Sequence, residues 1–110
     1  MRGINKVFLL GIAGAAPEVR EAADGRTTCK LQLATTRAVR DGDAWSEETE
    51  WHTVQLEGEL AEVAAKYVGK GSKIAIEGEL RTDTWTGAYG MKQYRTYVHG
   101  TALHLIPRGK

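Results

Sequence analysis

Three histidines and one close pair of glutamates are the side chains of this 110-residue chain that could support catalysis or hold a metal. His52, His99 and His104 have no neighbour at the spacing that metal ligands need. Glu77 and Glu79 share one face of a predicted strand, where two solvated carboxylates are more usual than an acid–base pair in a pocket. We therefore expect neither an enzyme nor a metal site, and we expect no cofactor.

The three tryptophans are the other candidates for a binding site. Residues 50–57 alternate between two faces, which is typical of a half-buried strand. Trp51 and Glu57 share the outer face, whereas His52 and Val54 share the face that we expect to point into the core. A large apolar ring on an outer strand face is free to meet a ligand or a neighbouring subunit.

The charged residues are distributed unevenly, although the formal net charge is only +1. Residues 1–40 carry seven lysines and arginines against three acidic residues, and residues 63–110 carry eight against three. Residues 41–62 carry eight acidic residues and no lysine or arginine. The two ends of the chain could therefore form a surface that binds a polyanion, which the total charge does not reveal.

The hydrophobic pattern predicts strands separated by one short helix. Residues 60–68 follow the period of an amphipathic helix, with Tyr67 and Val68 on its apolar face and a glycine at its end. Residues 37–48 are polar and carry an Asp41-Gly42 turn, so we expect a hairpin arm between two strands. The predicted strands cover residues 3–12, 27–36, 50–57, 72–85 and 91–106. The order β-β-β-α-β-β describes an all-β chain with one short helix, and it is the order of the five-stranded Greek-key barrel called the OB-fold.

The composition is typical of one soluble domain, so we expect residues 1–110 to form a single OB-fold. In its fourth strand we expect Ile74, Ile76 and Leu80 to point inward. The apolar runs are much shorter than the about 20 residues that cross a bilayer, so we expect no membrane association. Cys29 has no partner for a disulfide and is expected in the core, which favours a cytoplasmic protein.

Several short motifs, in order along the chain, resemble the bacterial single-stranded DNA-binding protein family. The segment T-E-W-H around Trp51, followed by L-A-E-V-A and then by K-G-S, is specific when the three occur together. The resemblance extends from Arg2 to Leu105. It implies an OB-fold that assembles as a homotetramer, with a homodimer as the alternative. It also implies a nucleoid-associated protein that binds single-stranded DNA without strong sequence preference and protects it in replication, recombination and repair.

The resemblance further implies which side chains meet the DNA. Stacking of a base on an aromatic ring contributes about 1–3 kcal/mol, and lysines and arginines neutralise phosphates. Trp51 and Trp85 match stacking tryptophans of the family, and Arg2 and Lys6 match basic residues near its N-terminus. The complete expected DNA-binding set is Arg2, Lys6, Arg37, Arg40, Trp45, Trp51, Arg81, Trp85 and Lys92. The expected assembly surface includes Asn5, Val7 and His52.

The chain departs from the family where the family carries aromatic or basic side chains. Val39 stands where a third tryptophan is common, and Trp45, six residues on in the same arm, is a candidate to replace it. Glu57 stands where a stacking phenylalanine precedes a glycine, and Asp83 and Thr84 stand where basic residues are frequent. Losing two stacking platforms would weaken binding by about 2–6 kcal/mol if nothing compensates, so we expect weaker or repositioned DNA binding.

The sequence ends at Pro107-Arg108-Gly109-Lys110, which is basic, whereas family members usually continue into a flexible linker and an acidic tip that recruits repair and replication enzymes. We therefore expect no tail-mediated recruitment of those enzymes by this chain. The alternative function is an OB-fold protein-interaction module, or a primosome-type accessory paralogue with weakened DNA binding, and the acidic segment of residues 41–62 favours it. An OB-fold that prefers RNA is a third interpretation, since stacking alone does not separate RNA from DNA.

Overall fold

Six strands, one α-helix and one short 3-10 helix make up residues 1–107, the part of the chain that this computed structural model describes. The strands are β1 (Val7–Ala13), β2 (Glu18–Glu21), β3 (Thr27–Asp41), β4 (Ala44–Glu57), β5 (Lys73–Thr86) and β6 (Lys92–Leu105). The helix α1 (Glu59–Tyr67) lies between β4 and β5, and the 3-10 turn Ala88–Gly90 connects β5 to β6. Apart from Pro107, the basic ending of the sequence lies outside the described residues. No helix within residues 1–107 is long and apolar enough to span a membrane.

The strands close into a barrel. β1 pairs with β5, β5 with β6, and β3 with β4, all antiparallel, whereas β4 and β6 pair in parallel. Pairing of Ile12 and Ala13 with β3 completes the ring. The ring therefore has five strands, and the short β2 is added along β3. This confirms the predicted OB-fold, with its helix between the third and fourth barrel strands.

The core lies inside the barrel because alternate residues of each strand point inward. The largest fully buried side chains are Leu33, Val54, Leu56, Ile74 and Ile76. The helix α1 packs on β3 and β4 through two buried alanines, Ala61 and Ala64, whose small side chains let the helix approach closely. Cys29 is buried among these residues, as predicted.

Three details of the sequence prediction were wrong. The turn-rich segment before β3 contains the strand β2, whose residues pair with Thr27–Lys30. Tyr67, predicted on the apolar face of the helix, is exposed, and Ala61 is buried instead. Leu80, predicted to point inward, is exposed because β5 has left the barrel there: β1 pairs with β5 only as far as Gly78.

Two hairpins extend beyond the barrel. Arm 1 (residues 37–48) is the predicted polar hairpin, and β3 and β4 remain paired up to Asp41 and Ala44. Its turn contains Gly42 with a φ of 64°, a left-handed conformation that favours glycine. Arm 2 (residues 80–98) consists of the outer parts of β5 and β6, which pair there with each other. The two arms carry most of the residues that the sequence analysis assigned to DNA binding.

Candidate nucleic-acid interface

One outer surface runs across β3, β4, β6 and β5. The register places Gln55 of β4 beside His99 of β6, and every second residue of a strand lies on the same side. Trp51 reaches this surface along β4 in steps of two from Gln55. Trp85 of β5 pairs with Gln93 of β6, and Gln93 lies on the same side of β6 as His99 because the two are six residues apart. Trp85 therefore lies on this surface as well. The register therefore brings the two indoles onto one surface, which we call the outer face.

The Trp51 indole lies over Gly14 in the loop after β1. A Cβ atom at position 14 would lie 2.5 Å from the ring, so only glycine leaves the indole this room. Beside it, Gln32 Nε2 donates to Thr53 Oγ1 (3.1 Å), and Thr53 Oγ1 donates to Gln32 Oε1 (3.2 Å), which links β3 to β4 on the outer face. The indole remains 58% exposed. One side of the Trp51 indole therefore packs against Gly14, and the remaining part is exposed to a ligand.

Trp45 lies near the tip of arm 1, also on the outer face. The Arg40 guanidinium carbon is 5.7 Å from the centre of its ring, a cation–π distance. Val39 pairs with Ser46 and, as the neighbour of Arg40 in the strand, points to the opposite face of the arm. Within one chain Trp45 and Val39 therefore occupy opposite faces of arm 1, and replacement of the family's third tryptophan by Trp45 stays a prediction.

Arg37 also lies on the face of arm 1 opposite to Trp45, because it pairs with Glu48 in the register. Its guanidinium donates to Glu48 Oε1 at 2.7 Å and to Glu50 Oε1 at 3.4 Å. Two carboxylates already occupy the donors that a phosphate would use. Contact between Arg37 and DNA stays a prediction, and it requires exchange of these partners.

Arm 2 carries two further arginines that are paired with carboxylates on the same surface. Arg81 donates to Glu79 at 2.7 Å, and this hydrogen bond raises the pKa of Arg81 above its already high ordinary value. Arg95 donates to Asp83 at 3.2 Å. Exposed pairs of this kind contribute little to folding, about 0–1 kcal/mol each, so a phosphate can displace them at small cost.

Sequence reasoning missed the residues of β6 that face the same way as Trp85. Arg95 and Tyr97 lie opposite Asp83 and Arg81, and the Arg95 guanidinium carbon is 5.4 Å from the centre of the Tyr97 ring. Alternation along the predicted last strand could have placed both on one face. Tyr89, at the tip of arm 2, is fully exposed and was missed because a loop has no such alternation.

The basic N-terminal segment runs beside the base of arm 2. Asn5 Nδ2 donates to the Leu80 carbonyl (2.8 Å), and the Leu80 N–H donates to Asn5 Oδ1 (2.9 Å). This side chain therefore continues the pairing of β1 with β5. Arg2 and Lys6 are exposed on either side of it. Lys92 is exposed at the other end of arm 2, on the face opposite to Trp85.

The residues predicted for assembly lie on and near β1. Val7 is half-buried and packs against the core, and the Nε2 atom of the half-buried His52 lies 2.8 Å from the Thr35 hydroxyl. Three apolar side chains of β1 point away from the barrel into solvent; they are Phe8, Leu10 and Ile12. Within residues 1–107, no group of three or more His, Cys, Asp or Glu side chains is arranged to hold a metal ion.

Comparisons with known proteins identify the family and the fold. The model of the single-strand binding protein family matches residues 4–106. A solved structure described as the Plasmodium falciparum SSB complex with ssDNA superposes with a TM-score of 0.87 at 22% sequence identity. The match covers 97% of this chain and 98% of that chain. The structural likeness bears on the fold, and the family match covers both arms and the whole outer face.

Proposed function

The chain belongs to the single-strand binding protein family and is a non-enzymatic protein that binds single-stranded DNA; we propose that the strand lies along the outer face, with bases stacked on Trp51 and Trp85. Trp45 extends the same surface along arm 1. We further propose that phosphates are neutralised by Arg2, Lys6, Arg40 and Arg81, with Arg37 and Lys92 on the opposite faces of the arms engaging a strand that wraps around them.

The shared outer face of the two indoles is the observation that supports this proposal. Both rings are about half exposed, and the strand register puts them on one side of the sheet. Exposed aromatic rings suit single-stranded DNA because unpaired bases can stack on them, whereas duplex bases already stack on each other. Base stacking depends little on sequence, so the contacts with Trp51 and Trp85 add little sequence preference.

Because several of its arginines are paired with carboxylates, this surface should bind DNA more weakly than its number of arginines suggests. Arg37, Arg81 and Arg95 each contact at least one carboxylate. A bound phosphate must compete with that carboxylate for the guanidinium donors. We therefore expect binding that is weaker than the number of basic residues indicates and that falls steeply with salt.

A titration of intrinsic tryptophan fluorescence with oligo-dT at two salt concentrations tests the proposal. We expect strong quenching with a midpoint that moves to higher DNA concentration as salt rises. Single variants Trp51→Ala and Trp85→Ala should each bind about 5- to 150-fold more weakly, which corresponds to about 1–3 kcal/mol per stacked base.

Tyr67→Ala is the matched control, because Tyr67 is an exposed aromatic residue of α1 outside the outer face. It should bind DNA like the unmodified chain. Unaltered affinity in both tryptophan variants, with the chain shown to be folded, would place the DNA elsewhere on the molecule.

We also propose that copies of the chain assemble through β1 into a homotetramer, with a homodimer as the smaller assembly. The support is the row of Phe8, Leu10 and Ile12, whose side chains are 69%, 57% and 48% exposed. Apolar rows of this kind are often covered by a partner. Asn5, Val7 and His52 stay the residues that we expect at or near the assembly surface.

Light scattering of the intact chain tests this assembly. We expect a mass of four chains, or two, at micromolar concentration, and a smaller mass for the double variant Phe8→Glu and Leu10→Glu. A monomer in the unmodified chain would contradict the proposal.

In the cell, we propose that the protein coats and protects single-stranded DNA exposed in replication, recombination and repair, at the nucleoid in the cytoplasm.

A further inference from the structure

A polar cavity of about 300 Å³ opens on the outer face where β2, β3 and β4 meet arm 2. Its volume is at the lower end of the range for small-molecule sites, about 300–1,000 Å³. The charged and amide side chains that line it are Glu18, Arg20, Lys30, Gln55, Glu57 and Arg95. It lies on the same surface as Trp51, because Gln55 and Glu57 follow Trp51 in steps of two along β4.

The charges in this cavity suit an anion that also carries hydrogen-bond donors. The three cations outnumber the two carboxylates, so the lining favours a negatively charged group such as a phosphate. Glu57 lies at the wall beside two other side chains: its carboxylate oxygens lie 3.5 Å from the Arg26 guanidinium and 4.0 Å from His99 Nε2. A carboxylate held in this way presents acceptor atoms to whatever enters.

Arg95 is incompletely paired at the edge of the cavity. Its terminal nitrogen donates to Asp83, but its Nε is buried and has no hydrogen-bond partner within residues 1–107. A buried donor without a partner is destabilising. A phosphate oxygen in the cavity would supply the missing acceptor once the guanidinium turns toward it.

We propose that this cavity holds one nucleotide of the bound strand and selects a base with an exocyclic amino group. The inference rests on the proposed function. Arg20, Lys30 and Arg95 hold the phosphate, and Glu57, assisted by the Gln55 carbonyl, accepts hydrogen bonds from the base. The cytosine N4 amino group is a donor for which carboxylates are natural acceptors. Thymine presents a carbonyl oxygen at that position, which repels the Glu57 carboxylate, so the cavity prefers cytosine to thymine.

A competition experiment with oligo-dC and oligo-dT, each longer than a site of about 4–16 nucleotides per domain, tests the preference. The readout is the ratio of the two dissociation constants in the variant divided by that ratio in the unmodified chain. Differences in stiffness and stacking between the two oligonucleotides cancel in this quotient. Glu57→Gln keeps the size of the side chain but can donate to thymine O4 as well as accept from cytosine N4. We expect it to reduce the preference for dC by about 5-fold or more, the lower end of the discrimination per base contact.

Glu59→Gln is the matched control, since it removes the same charge two residues away, on the exposed first turn of α1 and outside the cavity. It should leave the ratio unchanged. Gln55→Met is a second cavity variant should Glu57→Gln fail to fold, and it should also reduce the dC preference. A ratio that is unchanged in the cavity variants, while both oligonucleotides still bind, would overturn the cavity proposal and leave the proposed function standing. If the unmodified chain binds neither oligonucleotide, the proposed function itself is contradicted.

Discussion

Asp83 on arm 2 should weaken DNA binding, and replacing it with asparagine should strengthen binding. It precedes Trp85 by two residues and shares its face of β5, and its carboxylate lies 3.2 Å from the Arg95 guanidinium. A phosphate oxygen that contacts Arg95 at about 3 Å would lie about 6 Å from the Asp83 carboxylate. The variant Asp83→Asn removes this repulsion and frees Arg95 for the phosphate.

Coulomb's law gives the size of the effect. Two unit charges 6 Å apart repel by about 0.7 kcal/mol in water and by about 2.8 kcal/mol at an effective dielectric constant of 20. Asp83 is exposed, so the lower part of this range applies, and we expect Asp83→Asn to bind oligo-dT about 3- to 10-fold more tightly at low salt. Folding should change by about 0–1 kcal/mol at most, since the lost ion pair is on the surface.

Fluorescence anisotropy of a labelled oligo-dT across a salt series is the assay. The gain should shrink as ionic strength rises toward 1 M, where the Debye length is about 3 Å, well below the charge separation. Glu62→Gln on the exposed side of α1 is the control for net charge and should bind like the unmodified chain. If Asp83→Asn does not bind more tightly at low salt, or if Glu62→Gln binds more tightly to the same extent, repulsion between Asp83 and the DNA does not limit binding.

Three further predictions follow from the packing around the outer face and in the core. Gly14→Ala should push the Trp51 ring out of position and reduce both DNA affinity and fluorescence quenching several-fold, whereas unchanged quenching would show that the ring does not need this space. Leu33→Ala should lower the free energy of unfolding by about 2–5 kcal/mol in urea denaturation, because Leu33 is fully buried, and a loss below about 1 kcal/mol would contradict its place in the core. Burial raises the pKa of the Cys29 thiol, so less reactive thiolate is present near pH 8 and a disulfide reagent should label the folded protein far more slowly than the unfolded one; equal rates would contradict the burial.

Alternation of side chains was sufficient to predict much of the barrel. Cys29 and Leu33 are buried and Trp51 is exposed, because a half-buried strand imposes a period of two on its sequence. Arm 1 was predicted from its polar residues and its Asp41-Gly42 turn. The strand β2 was missed because all four of its residues are exposed, which leaves no alternation to detect.

The interactions between strands were harder to predict than the strands. The turn of arm 1 consists of Gly42 and Asp43, because Asp41 pairs with Ala44, and this register places Arg37 opposite Glu48. The predicted turn at Asp41-Gly42 would place Arg37 opposite Ser46, so the pairing of Arg37 with Glu48 did not follow from the predicted turn. The observed register also places Trp45 and Val39 on opposite faces of arm 1. The cavity beside Glu57 could not be predicted, because it forms where three strands and arm 2 meet in space.

Stacking of bases on the outer face can be tested by an NMR titration that follows the three tryptophan indole N–H signals separately. Variants that each replace one tryptophan assign the signals, and oligo-dT is then added to the unmodified chain. We expect large shifts for Trp51 and Trp85, with much smaller changes when a duplex of the same length is added. Unperturbed signals for both residues in a sample that binds the oligonucleotide would contradict the claim that bases stack on the outer face.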